Sequence, residues 1–234
     1  MFELKSVVPW GRNLAEYQGM FNLTEADLGS RIASFGDGPA SFNAQMHELG
    51  RRVVSLDPIY QFSREELAGR IRETRDEVLA QVERNRANFV WTHIRDMADL
   101  ESIRMGAMNR FLADYEAGRR EGRYVPHALP DRIPYADDAF DLGLSSHFLV
   151  LYANLGLDFH VQALREMLRV CREVRIFPLL DLNAGESAVL PGITEYFGKD
   201  HALSVEPVAY EFQRNGNRML RIVKGNGTIE RAAP

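Results

Sequence analysis

The residues best suited to chemistry are a glycine-rich turn and a carboxylate about twenty residues after it. The turn reads Gly36-Asp37-Gly38-Pro39-Ala40, and the carboxylate is Asp57. Glycines let a backbone approach a ligand closely, and the first N–H groups of a helix carry a partial positive charge. An acidic side chain at this distance can accept two hydrogen bonds from a ribose diol. The pattern therefore predicts a site for a cofactor that contains a nucleoside.

Regular elements on both sides of the turn are needed to hold these residues in place. Residues Ile32 to Phe35 have the composition of a short buried strand, and Ser41 to Leu49 show helical spacing of apolar residues. A second strand is predicted over Arg52 to Leu56, and it ends just before Asp57. The stretch is thus expected to form a strand, a turn, a helix and a strand.

The glycine pattern differs from that of dinucleotide-binding proteins. Ser41 stands where the dinucleotide fingerprint has its third glycine, and Pro39 follows the second glycine directly. The stretch resembles motif I of the class I S-adenosylmethionine-dependent methyltransferases, in which a strand leads into G-x-G-P-(G/A). This chain departs from the family at Ser34, where an acidic residue is usual. The resemblance then implies that Asp37 or a backbone carbonyl contacts the methionine amino group of the cofactor.

A second segment resembles the same family. Ile133-Pro134-Tyr135 and the run from Asp137 to Asp141 match the family's L-P-(F/Y)-x-D-x-x-F-D segment, which leads into the fourth strand. We place that strand and its exit at Leu142 to Phe148, after a third strand at Tyr124 to His127. The family often holds adenine with an acidic side chain after the third strand. That position is Leu129 here, so the resemblance leaves main-chain contacts or the nearby Asp131 for this role.

The last part of the chain predicts an antiparallel hairpin. Strands are expected over Ser204 to Phe212 and Arg218 to Val223, and Asn215-Gly216 between them is a strong signal for a tight turn. Such a hairpin at the edge of an otherwise parallel sheet is typical of the methyltransferase family. The resemblance extends over about residues 13 to 224.

The resemblance implies a set of cofactor-binding residues. Residues of the turn would contact the methionine and the ribose of the cofactor, and Asp57 would bind the ribose hydroxyls. Main-chain groups would contact the adenine, and Ser145 would contact the methionine side of the cofactor. These expected cofactor-binding residues are Gly36, Asp37, Gly38, Pro39, Asp57, Ala128, Leu129 and Ser145.

Other polar residues are candidates for the acceptor side. His147 follows the fourth strand and could remove a proton from the methyl acceptor, or it could bond a backbone group beside the cofactor. Trp10, Arg12 and Tyr17 are candidates for lining the active site, with helix packing and solvation as the alternative. Asp181, at the end of a fifth strand over Glu173 to Leu180, could reach the substrate or cap the following loop, and we favour the cap.

Helical segments account for much of the remaining chain. Asn13 to Phe21 begins with a capping box formed by Asn13 and Glu16, and an amphipathic helix is predicted over Phe159 to Arg172. Residues 63–122 are predicted to form a mostly helical insertion within a single domain of residues 1–234. The insertion could be a lid, a homodimer surface or an enlarged helical layer.

The composition limits the classes of partner. The chain has 234 residues and a net charge of −5, so no overall field attracts nucleic acid. Its one cysteine, Cys171, favours a reducing compartment, and the first ten residues lack the apolar core of a signal peptide. We therefore expect a cytoplasmic protein that binds no membrane and no metal.

Together these observations predict an α/β fold with a Rossmann-like class I methyltransferase sheet. The sheet is expected to be mostly parallel with an antiparallel C-terminal hairpin, with helices on both faces. The resemblance implies methyl transfer from S-adenosylmethionine to a small-molecule acceptor. Two alternatives stay open: a non-catalytic protein that binds S-adenosylmethionine or S-adenosylhomocysteine, and an NAD-dependent oxidoreductase.

Overall fold

A seven-stranded mixed sheet forms the centre of the computed structural model, which describes residues 10–225. The strands are β1 (Ile32–Phe35), β2 (Val53–Leu56), β3 (Tyr124–Val125), β4 (Phe140–Ser146), β5 (Cys171–Phe177), β6 (Ala202–Pro207) and β7 (Arg218–Val223). They lie in the order β3-β2-β1-β4-β5-β7-β6. The first five strands pair in parallel, whereas β7 is antiparallel to both β5 and β6. This topology confirms the predicted Rossmann-like sheet, mostly parallel with an antiparallel C-terminal pair of strands.

Helices connect the strands. They are α1 (Leu14–Phe21), α2 (Glu25–Leu28), α3 (Phe42–Glu48), α4 (Arg64–Arg84), α5 (Met97–Arg120), α6 (Leu157–Val170) and α7 (Leu190–Phe197). Short 3-10 segments cover Pro58–Gln61, Arg86–Asn88 and Val150–Leu155. The sequence did not predict α2 and α7, which are short.

Local side-chain bonds fix where two of these helices begin. The Asn13 side chain accepts the N–H of Glu16, and the Glu16 carboxylate accepts the N–H of Asn13. Ser63 and Glu66 form the same reciprocal pair at the start of α4. Both capping boxes occur as the sequence predicts, because their bonds depend only on residues three positions apart.

Two apolar clusters cover the two faces of the sheet. Successive side chains of a strand point to opposite faces, and Ile32 and Ala33 of β1 accordingly belong to different clusters. The Ala33 cluster contains the inward faces of α6 and α7. The Ile32 cluster contains residues of α1 and α3. All four residues of β1 are buried, as expected of a central parallel strand.

Residues 63–122 contain the two long helices α4 and α5. Phe111 and Tyr115 of α5 pack with Tyr60 and Tyr124, so α5 lies against the β3 edge of the sheet. Helix α4 packs on α5, and its Leu67 and Ile71 join the same cluster. Between the two helices the chain forms a connection with one isolated β-bridge, from Phe89 to Gln213. A homodimer formed through residues 63–122 stays a prediction.

The C-terminal hairpin is present, but the tight turn predicted between its strands is wrong. Strand β6 ends at Pro207 rather than Phe212, and residues 208–217 form a long connection. The Tyr210 hydroxyl donates to Glu16, and the Phe212 ring stacks on Phe89. These tertiary contacts draw the connection over the body of the protein, so Asn215, with φ of 65°, turns the chain only locally.

No helix within residues 10–225 is long and apolar enough to cross a membrane. The expectation about a signal peptide concerns mainly residues 1–9, which lie outside the described residues.

Candidate functional site

One large cavity opens at the carboxyl ends of β1, β2 and β4. Its volume is about 1350 Å³. Single-ligand clefts usually measure roughly 300–1,000 Å³, so this cavity has room for more than one small molecule. Parallel strands deliver their C-terminal residues to one edge, which is where ligands bind in open α/β sheets.

The glycine turn forms part of the cavity wall. Gly36 and Gly38 have φ angles of 70° and 56°, a region that costs residues with a Cβ energy. A Cβ on Gly36 would lie 2.8 Å from the Phe148 ring, whereas a Cβ on Gly38 would meet no atom within 4 Å. Gly38 and Pro39 both line the cavity. The backbone at Gly38 is therefore open to a ligand.

Asp57 lies beside this open backbone. One carboxylate oxygen accepts the N–H of Gly38 at 2.8 Å, and the other accepts the N–H of Ile59 at 2.9 Å. Burial raises the pKa of Asp57 to about 6, although these two N–H groups favour the charged form. Each carboxylate oxygen can accept more than one hydrogen bond, so capacity for a diol remains.

Asp37 points its carboxylate across the ends of β1 and β2. The carboxylate accepts hydrogen bonds from Ser34, from Ser55 at 2.6 Å and from Tyr17 at 2.6 Å. Burial raises the pKa of Asp37, and the three hydroxyl donors oppose that shift. Ser34, which stands where the family usually has an acid, thus holds the Asp37 carboxylate directly beside it.

The segment after β3 forms another side of the cavity. Ala128 and Leu129 both line it, and so does His127, which the sequence reasoning overlooked. The His127 backbone N–H donates to the Asp57 carbonyl at 3.4 Å, while its buried Nε2 has no partner among the described residues. The sequence signal was available, since His127 directly precedes the two expected adenine contacts.

Ser145 differs from its expected placement. It is fully buried, does not line the cavity, and its hydroxyl has no partner among residues 10–225. Ser146 lines the cavity instead. Because successive residues of a strand face opposite sides, a shift of one residue decides which serine faces the cavity.

His147 lies directly after β4 and lines the cavity. Its φ of 53° is unusual for a residue other than glycine, and its N–H donates to the Phe177 carbonyl at 2.7 Å. Burial, together with Arg12 and Arg104, lowers the pKa of His147 well below its ordinary value. The imidazole is therefore neutral near pH 7.

Ser146, the residue before His147, contacts one of the two ring nitrogens of His147. Ser146 Oγ lies 2.8 Å from His147 Nδ1 and donates to Met20 Sδ at 3.7 Å. A hydroxyl has one proton, so when that proton points to Met20 Sδ, Oγ accepts from Nδ1–H. Nε2 of His147 is then the nitrogen with a free lone pair.

Trp10, Arg12 and Tyr17, the candidates for lining the active site, all line the cavity. Tyr17 also packs face to face on Phe42, at 4.2 Å between ring centroids, so it combines the packing role with its bond to Asp37. Arg12 donates to the Trp10 carbonyl at 2.9 Å. Burial and then Arg104 lower the pKa of Arg12 to about 10.

Asp181 lies outside the cavity wall. Its carboxylate accepts the N–H groups of Asn183 at 2.8 Å and Gly185 at 3.1 Å. Asp181 therefore caps the loop that follows it, which is the role favoured from the sequence.

A buried ion pair beside the cavity was absent from the sequence reasoning. Arg104 of α5 is fully buried and lines the cavity, and its Nη1 lies 2.7 Å from the Glu16 carboxylate. Its Nη2 donates to the Tyr210 hydroxyl at 3.3 Å. The signal was a charged residue inside the apolar stripe of α5, four residues after Leu100 and four before Met108.

Within residues 10–225, no group of three or more His, Cys, Asp or Glu side chains could hold a metal ion.

Three solved structures are similar to this chain. The magnesium protoporphyrin IX methyltransferase of Synechocystis PCC 6803 with bound S-adenosylmethionine has a TM-score of 0.45 and 13% identity, covering 86% of this chain and 73% of that chain. A TehB-like S-adenosylmethionine-dependent methyltransferase from Corynebacterium glutamicum has a TM-score of 0.45 and 16% identity, covering 84% of this chain and 80% of that chain. A methyltransferase from Aquifex aeolicus, also dependent on S-adenosylmethionine, has a TM-score of 0.41 and 11% identity, covering 84% of this chain and 81% of that chain.

No family model matches the chain. A relative of similar length does match: the uncharacterized protein MJ0045 of Methanocaldococcus jannaschii is 34% identical over 223 residues, which cover 94% of this chain and 97% of that protein. This chain belongs to the same family as MJ0045.

Proposed function

We propose that this protein binds S-adenosylmethionine and transfers its methyl group to a small molecule. The observation that carries the proposal is the adjacency of Asp57 and the open backbone of Gly38 in one cavity at the ends of parallel strands. This pair offers a buried carboxylate for a ribose diol and close backbone approach, which are the two needs of an adenosyl group.

The residues around this pair fit the other parts of the cofactor. His127, Ala128 and Leu129 would hold the adenine, since all three line the cavity. Asp37 would hold the methionine ammonium, because a carboxylate offers about four lone-pair positions and three hydroxyls use only three of them.

The protein's contribution to methyl transfer is mainly alignment. When bound, S-adenosylmethionine would supply a methyl group already activated by the positive charge on sulfur. Orientation and exclusion of water can contribute up to roughly 7–11 kcal/mol in the best-aligned cases. The apolar wall that α4 contributes through Leu67, Ile71, Val78 and Val82 suits the exclusion of water.

His147 would act as the base for an acceptor that has to lose a proton. Its lowered pKa keeps the imidazole neutral, and in the tautomer that donates Nδ1–H to Ser146, Nε2 is the accepting atom. In this role His147 is the catalytic residue, and Ser146 is a positioning residue that selects the tautomer.

Transfer of labelled methyl groups from S-adenosylmethionine to a panel of small acceptors tests the proposal. We expect transfer to at least one acceptor, and a loss of about 10²- to 10⁴-fold in rate in His147→Ala with S-adenosylhomocysteine affinity unchanged. His201→Ala is the matched control, because His201 does not line the cavity.

The same experiment separates the alternatives. Binding of S-adenosylhomocysteine with no transfer to any acceptor would favour a non-catalytic binding protein. Quenching of tryptophan fluorescence by NADH but not by S-adenosylhomocysteine would favour an oxidoreductase and contradict the proposal.

A further inference from the structure

The cavity carries an excess of positive charge at the end near His147. Arg12 and Arg104 both line this end, and both contribute to the lowered pKa of His147. The carboxylate that neutralises them is Glu16, which accepts from Arg104 and Tyr210. Burial favours the neutral form of Glu16, yet Arg104 and Arg12 hold its pKa below the ordinary value. Two guanidinium groups and one carboxylate leave a net charge of about +1.

Both arginines also have unused donors. The Nε atoms of Arg12 and Arg104 are buried and have no acceptor among the described residues. A buried donor without an acceptor costs about 1–3 kcal/mol, and such groups are rare in folded proteins. Arg12 is partly exposed and lines the cavity, so its guanidinium can donate to an acceptor atom of a ligand, whereas the fully buried Arg104 adds its charge to the same wall.

Aromatic side chains form an adjoining part of the wall. Trp10, Phe89 and Phe212 line the cavity and pack in the same apolar cluster as Tyr210. The Phe89 and Phe212 rings are stacked at 4.8 Å between centroids. This part of the cavity suits the apolar body of a ligand.

We infer that the methyl acceptor is an anion with an apolar body, of which a carboxylate is the best match, and that Arg12 binds its charged group beside the buried charge of Arg104. The inference rests on the proposed methyl transfer. A guanidinium presents its N–H groups in a fork that matches a carboxylate, and the net positive charge favours that ligand over a neutral one. The apolar body lies against Trp10, Phe89 and Phe212.

The cofactor has a carboxylate of its own, on its methionine end. Arginines that served that group would affect the affinity for S-adenosylhomocysteine, whereas arginines that serve the acceptor would not. Titration calorimetry on protein saturated with S-adenosylhomocysteine separates these sources. The probes are 2-naphthoate and the neutral 2-naphthalenemethanol, which share one apolar body.

We expect wild-type protein to bind 2-naphthoate at least 10-fold more tightly than 2-naphthalenemethanol. Arg12→Met should abolish this preference and leave the affinity for S-adenosylhomocysteine unchanged. Arg12 is the first variant because it is partly exposed and its side chain donates to a backbone carbonyl rather than to a carboxylate, so the fold should survive. Arg104→Lys retains the charge beside Glu16 but loses the Nε–H, and we expect a smaller reduction.

Arg110→Met is the matched control. Arg110 lies on α5 and pairs with Glu48 at the surface, away from the cavity, so its loss should leave both probes unaffected. Equal affinities of the two probes for wild-type protein, or no measurable binding of 2-naphthoate, would overturn the inference. A loss of S-adenosylhomocysteine affinity in Arg12→Met with the naphthoate preference intact would also overturn it. If wild-type protein fails to bind S-adenosylhomocysteine, the proposed function fails instead, and the two probes on the free protein still test the anion site.

Discussion

Asp57 is the side chain on which the cofactor site depends most. It is buried, its two oxygens accept the N–H groups of Gly38 and Ile59, and it faces the cavity. The Ile59 bond closes the turn after β2, so Asp57 has a structural role in addition to the proposed one. A test has to separate these two roles.

Asp57→Ala is expected to weaken the binding of S-adenosylhomocysteine by about 1.5–3 kcal/mol, the range for hydrogen bonds to charged groups. Titration calorimetry measures the affinity, and circular dichroism verifies the fold. Asp141→Ala is the control, because that carboxylate pairs with Arg31 and does not line the cavity. Unchanged affinity in a folded Asp57→Ala variant would mean that Asp57 only caps the turn.

The raised pKa of Asp57 predicts a pH dependence of binding. Burial moves this pKa from 3.8 to about 6, so the carboxyl is protonated in the folded protein below that pH. A protonated carboxyl has lost acceptor capacity for the diol. Affinity for S-adenosylhomocysteine should be constant above about pH 7 and should fall as the pH is lowered through 6, by up to about tenfold per unit.

The raised pKa of Asp57 affects the stability of the fold in the opposite direction. The folded state binds the Asp57 proton more tightly than the unfolded state, so this contribution to stability is complete below about pH 4 and is lost as the pH rises through 6.

Titrations of S-adenosylhomocysteine at pH 5–8 on wild-type protein and Asp57→Asn measure the pH dependence of binding. A pH slope that persists in Asp57→Asn would assign it to another group, such as Asp37.

At the scale of elements, the Arg104–Glu16–Tyr210 cluster connects α5, α1 and the connection over residues 208–217. The three residues are far apart in the sequence and all are buried. The cluster holds the β6–β7 connection beside the cavity, which explains why this connection is not a tight turn.

Arg104→Met should destabilise the protein by about 3–5 kcal/mol, because it leaves the buried Glu16 carboxylate without its cation. Urea unfolding measures the free energy of unfolding. Adding Glu16→Gln should restore much of the loss, since the variant then no longer buries a carboxylate that has lost its bonded guanidinium. Arg110→Met serves as the surface control, with an expected change within about 0.5 kcal/mol. Equal stability of wild type and Arg104→Met would contradict a stabilising role for the pair.

At the scale of the whole molecule, the sequence predicts the sheet well because its signals are local. The apolar runs of β1, β2, β4 and β5 are bounded by turn residues, and the capping boxes of α1 and α4 involve residues three positions apart. The glycine turn and Asp57 were placed correctly because parallel strands bring their ends to one edge.

The remaining parts depend on contacts between distant residues. Local signals favour a tight turn at Asn215-Gly216, yet the contacts of Tyr210 and Phe212 with α1 and with Phe89 determine the path. The choice of Ser146 over Ser145 depends on a register that shifts by one residue without changing the strand signal. The role of Arg104 depends on Glu16, which lies 88 positions away.

The most direct test of the cofactor site is a thermal melt of the whole protein with S-adenosylhomocysteine and, separately, with NAD. A ligand at 100 times its dissociation constant should add about 2.7 kcal/mol to the free energy of unfolding, a rise of roughly 5–10 °C in Tm. We expect this rise with S-adenosylhomocysteine and none with NAD. No rise with S-adenosylhomocysteine, or a rise with NAD alone, would contradict the assignment of the cavity to an S-adenosyl cofactor.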